Sequence, residues 1–218
     1  QRCISLDSVI IPNSITTIEA GAFSSCLSLT SVVLPDSVIS INNSAFYNCA
    51  SLTGITFPAT LTSIGNSAFY NCSSLANVIF PDSLTFIGDN AFYNCPFSSI
   101  TIPNSVESMG INPFAGCSSV SQIVVSSGNT AFDSRNDCNA IVGTANNVLI
   151  SGCMNTIIPN SVTSIGNEAF NGCSSLISIN IPNSVISIGS CAFNRCTSLS
   201  SINIPNTITG FAHHFFVT

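Results

Sequence analysis

The amino-acid sequence predicts a β-rich solenoid, a parallel stack of 23-residue units with little α-helix and one β-hairpin insertion. Three observations carry this reading. Prolines recur at Pro12, Pro35, Pro58 and Pro81, and again at Pro159, Pro182 and Pro205. The residues between them repeat one order of apolar positions. Only 6% of the residues are charged while 45% are hydrophobic, which is the reverse of a disordered chain and leaves Ser, Thr and Asn to form the polar surface. A unit of this length cannot bury its own apolar face, so neighbouring units stack into one continuous core.

Within a unit such as Leu75 to Cys95, eight positions are expected to point inward. Leu75, Val78 and Phe80 carry a strand that ends at Pro81, where the missing N–H costs no ladder bond. Two residues after each proline stands Ser14, Ser37, Thr60, Ser83, Ser105, Ser161, Ser184 or Thr207. A small hydroxyl in a turn covered on both sides suits pairing with orphaned backbone groups. Leu84 and Ile87 then suggest a second short extended segment closed by Gly88. Gly65, Gly110, Gly166 and Gly189 fill the same position, with Asn42 in the second unit, as expected where φ is positive; Glu19 and Ala212 depart from the pattern. The Ala-Phe pair that follows, Ala91-Phe92 here, builds an apolar column. At about 4.8 Å per turn, roughly nine coils give a body about 40 Å long.

Residues 1–218 form a single domain on this reading, cut within a repeat at both ends. The spacing of 56 between Pro103 and Pro159 is one repeat plus 33 residues, and the extra part, 129–155, reads as a hairpin insertion. Its β-prone runs, Cys138 to Val142 and Val148 to Gly152, flank a polar turn from Thr144 to Asn147. A turn centred between Ala145 and Asn146 places Cys138 opposite Cys153, either as a disulfide or as two thiols within reach of one.

The unit I-P-N-S-V-x-S-I-G-x-x-A-F-x-x-C-S-S-L, quoted from Ile158 to Leu176, resembles the BspA-like leucine-rich repeats, and the resemblance recurs along nearly the whole chain. It implies a leucine-rich repeat solenoid. It further implies a secreted or cell-surface protein of bacteria or parasitic protists. The best-known members of that family act as adhesins for host extracellular matrix, so a protein or glycan ligand is the implied partner.

Composition narrows function by exclusion. Arg2, Arg135 and Arg195 are the only basic residues and the formal net charge is −6, so neither nucleic acid nor an anionic membrane surface is a fitting partner. No apolar run reaches the length of a membrane helix, so no membrane insertion is expected of this stretch. Cys3, Cys26, Cys49, Cys72, Cys95, Cys117, Cys173 and Cys196 share one repeat position. A ladder points every sulfur the same way, which is wrong for a tetrahedral metal site, so these are expected as buried free thiols and no metal or other cofactor is implied. Cys191, just before Ala192, is the candidate reactive thiol, and His213 and His214 read as solvated turn residues. The carboxylates are scattered, with Asp133 and Asp137 offering at most a weak cation site. No acid, base and nucleophile set stands apart from repeat positions, so no catalytic residue is assigned.

What remains is a surface. The central outward strand position is filled by Ile10, Val33, Thr56, Ile79, Thr101, Val124, Asn180 and Asn203, flanked by Thr30, Ser31, Thr53, Asn77, Ser99, Gln122 and Ser201. An ordinary exposed parallel ladder favours β-branched residues here; a recognition face would use the same positions. The expectation is a non-enzymatic extracellular interaction module, monomeric or weakly associating end to end, with a structural spacer carrying another domain as the alternative.

Overall fold

The computed structural model describes residues 3–209; Arg2, Phe211, Ala212, His213, His214 and Phe216 lie outside the described residues. Among the described residues there is no α-helix, and the chain winds as a solenoid of about nine turns. Each regular coil contributes a longer strand to one face and a two-residue strand to a second. On the first face Ser8–Ile10, Ser31–Val33 and Gly54–Thr56 pair in parallel at an offset of 23 residues, Ser8 opposite Ser31 and Ser31 opposite Gly54. Further along, Ser99–Ile102 pairs with Gln122–Val125, and Ser178–Asn180 with Ser201–Asn203. The second face stacks Thr17–Ile18, Ser40–Ile41, Ser63–Ile64, Phe86–Ile87 and Ser108–Met109 in one parallel sheet.

The prolines end strands and open turns. Their carbonyls accept the N–H three residues on, from Ile15 to Pro12 at 3.0 Å through Val185 to Pro182 at 3.0 Å. The hydroxyls two residues later act as the sequence suggests. Ser37, Thr60, Ser83, Ser105 and Thr207 donate to the carbonyls of Ile15, Val38, Leu61, Leu84 and Val185 in the preceding coil, at 2.6 to 2.8 Å. Ser161 and Ser184 differ: Ser161 Oγ accepts from Arg135 Nη1 at 3.3 Å, and the Ser184 hydroxyl is buried without a partner among the described residues.

Phe23, Phe46, Phe69 and Phe92 stack with ring centroids 5.1 to 5.2 Å apart, and Phe46, Phe69 and Phe92 are fully buried. Burying one such ring is worth about 1.5–3 kcal/mol, against about 0.5–1.5 kcal/mol net for a hydrogen bond. The apolar column therefore drives stacking, and the polar ladders chiefly avoid the penalty of unpaired backbone groups.

The glycines after the second strand need a different explanation from the one expected. Gly65, Gly88, Gly110, Gly166 and Gly189 are absent from the positive-φ residues, which are instead Ser44, Ser67, Asn90, Glu168 and Cys191, each two positions beyond the glycine or, for Ser44, beyond Asn42, and Asn48, Asn71 and Asn94 at the next corner. The constraint is close approach of backbone. A Cβ on Gly65 would lie 2.7 Å from Asn43 N, and one on Gly189 would lie 2.5 Å from Asn167 N.

The inserted residues form Phe132–Asp133, a 3-10 turn over Arg135–Asp137, and the antiparallel pair Ala140–Gly143 and Val148–Gly152. The last strand also pairs in parallel with Ser164–Ile165, so the insertion is woven into the second face. Gly152 N–H donates to Ala169 O at 2.8 Å, and its Cα sits against the Phe170 ring. This interrupts the phenylalanine column and divides the core into two clusters, one up to Phe132 with Ile141 and Cys153, the other from Cys138 onward.

Gly65→Ala is expected to destabilise the fold by about 1–3 kcal/mol in urea unfolding, because the added methyl meets rigid backbone. Asn48→Gly, at a positive φ that glycine adopts freely, should leave the midpoint close to that of the parent.

Candidate functional site

The first strand face is built by alternation. Val32 and Ile100 point into the core while Val33 and Thr101 point out, as the pleat requires. All eight outward-column residues, Ile10, Val33, Thr56, Ile79, Thr101, Val124, Asn180 and Asn203, are exposed, Ile79 at 87% and Ile10 at 82%. Ile10 lies opposite Val33 and Val33 opposite Thr56, and Asn203 Nδ2 donates to Asn180 Oδ1 at 3.1 Å. The column and its seven flanking positions carry no charge.

The ladder on this face is not continuous. Residues 77–80 pair with neither neighbour, so Gly54–Thr56 and Ser99–Ile102 are separated by an unpaired coil. Two aromatic rings account for the gap. Phe57 and Phe80 fill, in consecutive coils, the position held by Leu34 before and Ile102 after. Their rings stack parallel with centroids 6.2 Å apart, wider than the 5.1 to 5.8 Å of the buried phenylalanine column whose coils stay hydrogen-bonded, and so prop the two coils open. Val78 and Phe80 are consequently only half-buried. A groove of about 550 Å³ opens there, lined by Ser31, Gly54, Thr56, Asn77, Val78 and Ile79. Sequence reasoning identified the outward column but missed this gap; two successive phenylalanines at one strand position were the available signal.

The thiol column is a hydrogen-bond ladder. Cys49, Cys72, Cys95, Cys117 and Cys196 donate Sγ–H to the carbonyls of Phe23, Phe46, Phe69, Phe92 and Phe170, at 3.0 to 3.3 Å. Where Gly152 replaces a phenylalanine, Cys173 turns to the Gly152 carbonyl at 3.5 Å. A donating thiol must keep its proton. Burial pushes Cys49 and Cys117 up to about 12 and Cys196 up to about 11, opposite to the lowering a nucleophile or metal ligand needs.

Cys138 and Cys153 are both free, and no disulfide joins them. The hairpin register is Ala140 opposite Gly152, with a bulge between Ile141 and Val142, so Cys138 falls one residue off the expected partner. One residue of slip turns a side chain to the other face of a strand pair. Cys138 accordingly packs in the second core cluster with its Sγ toward Ala140 O, whereas Cys153 packs in the first with its Sγ toward Asn139 O. Asp133 Oδ1 accepts from Arg135 Nε at 2.7 Å, so this carboxylate already has a cationic partner. Cys191 is half-buried at a positive-φ turn, and Arg195 is brought to Tyr93 across 102 residues of chain, a contact with no counterpart in the sequence reading.

A family model described as a BspA type leucine-rich repeat region matches residues 1–121 and 150–218 in six copies, passing over most of the insertion. A leucine-rich cell-surface protein from Faecalibacterium prausnitzii A2-165 is similar over 94% of this chain at 30% identity, with a TM-score of 0.76. The pneumococcal vaccine antigen PcpA is similar over 93% at 26% identity and a TM-score of 0.81. A leucine-rich repeat protein from Bacteroides ovatus matches 96% at 27% identity and a TM-score of 0.63. The chain spans 62%, 51% and 48% of those three structures respectively. No curated protein matches it in sequence.

At pH 8 a water-soluble thiol reagent is expected to modify exposed Cys3 and half-buried Cys191 in the native protein while leaving Cys49, Cys72, Cys95 and Cys117 intact, as read by peptide mass mapping. The raised thiols also set a pH dependence. Their stabilising contribution is fully present below the unfolded value near 8.5 and is lost as pH rises toward about 12, because the unfolded chain then ionises first. The urea midpoint should therefore fall progressively above about pH 9.

Proposed function

The chain belongs to the BspA-type leucine-rich repeat family, and from that premise we propose that it is a non-catalytic interaction module of the cell surface or extracellular space, binding a macromolecular partner, protein or glycan, through its first strand face. The observation that carries this reading is the uncharged exposed column from Ile10 to Asn203 together with the groove beside Ile79. Exposed isoleucine and valine side chains lie there beside hydroxyls and amides, and the open coil offers backbone groups that no neighbouring strand uses. Such a face binds by contact area and hydrogen bonds. A catalytic role has no support from the buried thiol column, whose protons are committed to carbonyls, and the similar Faecalibacterium protein is a cell-surface protein.

Binding of the purified chain to immobilised host matrix proteins and glycans, beside a variant carrying Val33→Arg, Thr56→Arg and Ile79→Arg, tests the proposal. The parent is expected to bind with little dependence on salt, and the variant, its fold checked by circular dichroism, to bind about tenfold or more weakly. Equal binding by both would place the contact elsewhere, and no binding by either would favour the spacer role.

A further inference from the structure

At the corner that follows each buried phenylalanine, the chain turns through a residue of positive φ: Asn48, Asn71 and Asn94 at 57° to 59°, then Gly116 at 75°, Gly172 at 74° and Arg195 at 58°. The two glycines mark the place where the insertion leaves the stack. Gly116 N–H donates to Asn171 O at 2.7 Å, so the coils on either side of the insertion close directly on each other at this corner. A Cβ on Gly172 would lie 2.5 Å from Gly116 Cα, which excludes any side chain at that level. Two successive levels are therefore bare, and a cleft of about 500 Å³ is left between Tyr93 and Asn94 on one side and Arg195 and Thr197 on the other, with Ser118 and Ser174 beside its glycine floor.

The walls are held in place. Tyr47, Tyr70 and Tyr93 stack with centroids 4.9 and 4.3 Å apart, which fixes the ring that Arg195 reaches. Arg195 Nη1 donates to Tyr93 Oη at 2.7 Å across the bare levels. Arg135 is paired with Asp133, but no carboxylate stands within ion-pair distance of Arg195 among the described residues. A guanidinium has five N–H donors in a fixed fork, and here Tyr93 Oη is its hydrogen-bond partner.

We infer that this cleft binds an acidic sugar unit, Arg195 taking its carboxylate and Asn94, Ser118, Ser174 and Thr197 taking its hydroxyls. The charge count favours that class. A phosphate carries about −1.5 to −2 and is usually met by clustered basic residues, whereas one guanidinium matches one carboxylate in bidentate fashion. The remaining lining groups are uncharged, the amides of Asn71 and Asn94 and the hydroxyls of Ser118, Ser174 and Thr197 beside the Tyr70 and Tyr93 rings, a mixture suited to a polyhydroxylated ring. The site is distinct from the first strand face and does not rest on the function proposed for it.

Calorimetric titration of the chain with sialyllactose and with trigalacturonic acid, using lactose as the neutral control, tests the inference. One of the two acids is expected to bind, more weakly as salt rises, and lactose to bind about tenfold less tightly or not at all. Whichever acid binds identifies the sugar as a sialic acid or a uronate. Arg195→Asn restores the residue found at the equivalent turns and suits the backbone there, so its fold should be intact while the acid's affinity falls about tenfold or more. The inference is overturned if neither acid binds, or if Arg195→Asn binds with unchanged affinity.

Discussion

One constraint governs this molecule: backbone N–H groups of one coil must meet carbonyls of the next at an offset close to 23 residues, at the strands and at the corners alike. Phe46 N–H to Ala68 O at 2.7 Å, Gly65 N–H to Ile41 O at 2.8 Å and Thr62 N–H to Ile39 O at 2.8 Å are three corners of one such junction or the next. Once that register is held, equivalent side chains stand directly above one another. Phenylalanine rings then stack, thiols find the phenylalanine carbonyl of an earlier coil, and hydroxyls after the prolines find carbonyls that the turn leaves open. The same register forbids a Cβ at Gly65 and Gly189, where coils approach within contact distance of backbone.

A perfect repeat would present a uniform surface, so recognition is expected where the repeat departs from itself. Phe57 above Phe80 separates two coils and opens a groove in the strand face. Gly116 and Gly172 let the stack close behind the insertion, and the missing side chains leave a second cleft. Both departures cost ladder bonds or column contacts, and the uninterrupted coils on either side carry the stability that tolerates them.

The fold was largely legible because each inward position is written several times. Proline at the strand end, hydroxyl two residues later, Ala-Phe and cysteine each recur in phase, and the hydroxyl and cysteine positions have one physical solution in a parallel stack. Features written once were not legible. The slip that parts Cys138 from Cys153 depends on a bulge at Ile141 and Val142, which no local signal announces. Arg195 reaches Tyr93 only because the insertion between them is looped out at that corner. The glycines after the second strand were legible as a position but not as a cause, since a small residue satisfies both positive φ and close approach, and only geometry separates the two.

The phenylalanine pair at residues 57 and 80 holds one coil of the strand face open. Native-state hydrogen exchange at single-amide resolution tests it most directly, in the parent and in Phe80→Ile. Fast exchange is expected across residues 77–80 beside protected Val32 and Ile100 amides, with slowed exchange at 77–80 when the ring is replaced by the smaller side chain its neighbours carry. Equal protection along the whole face, or an unchanged pattern in Phe80→Ile, would contradict it.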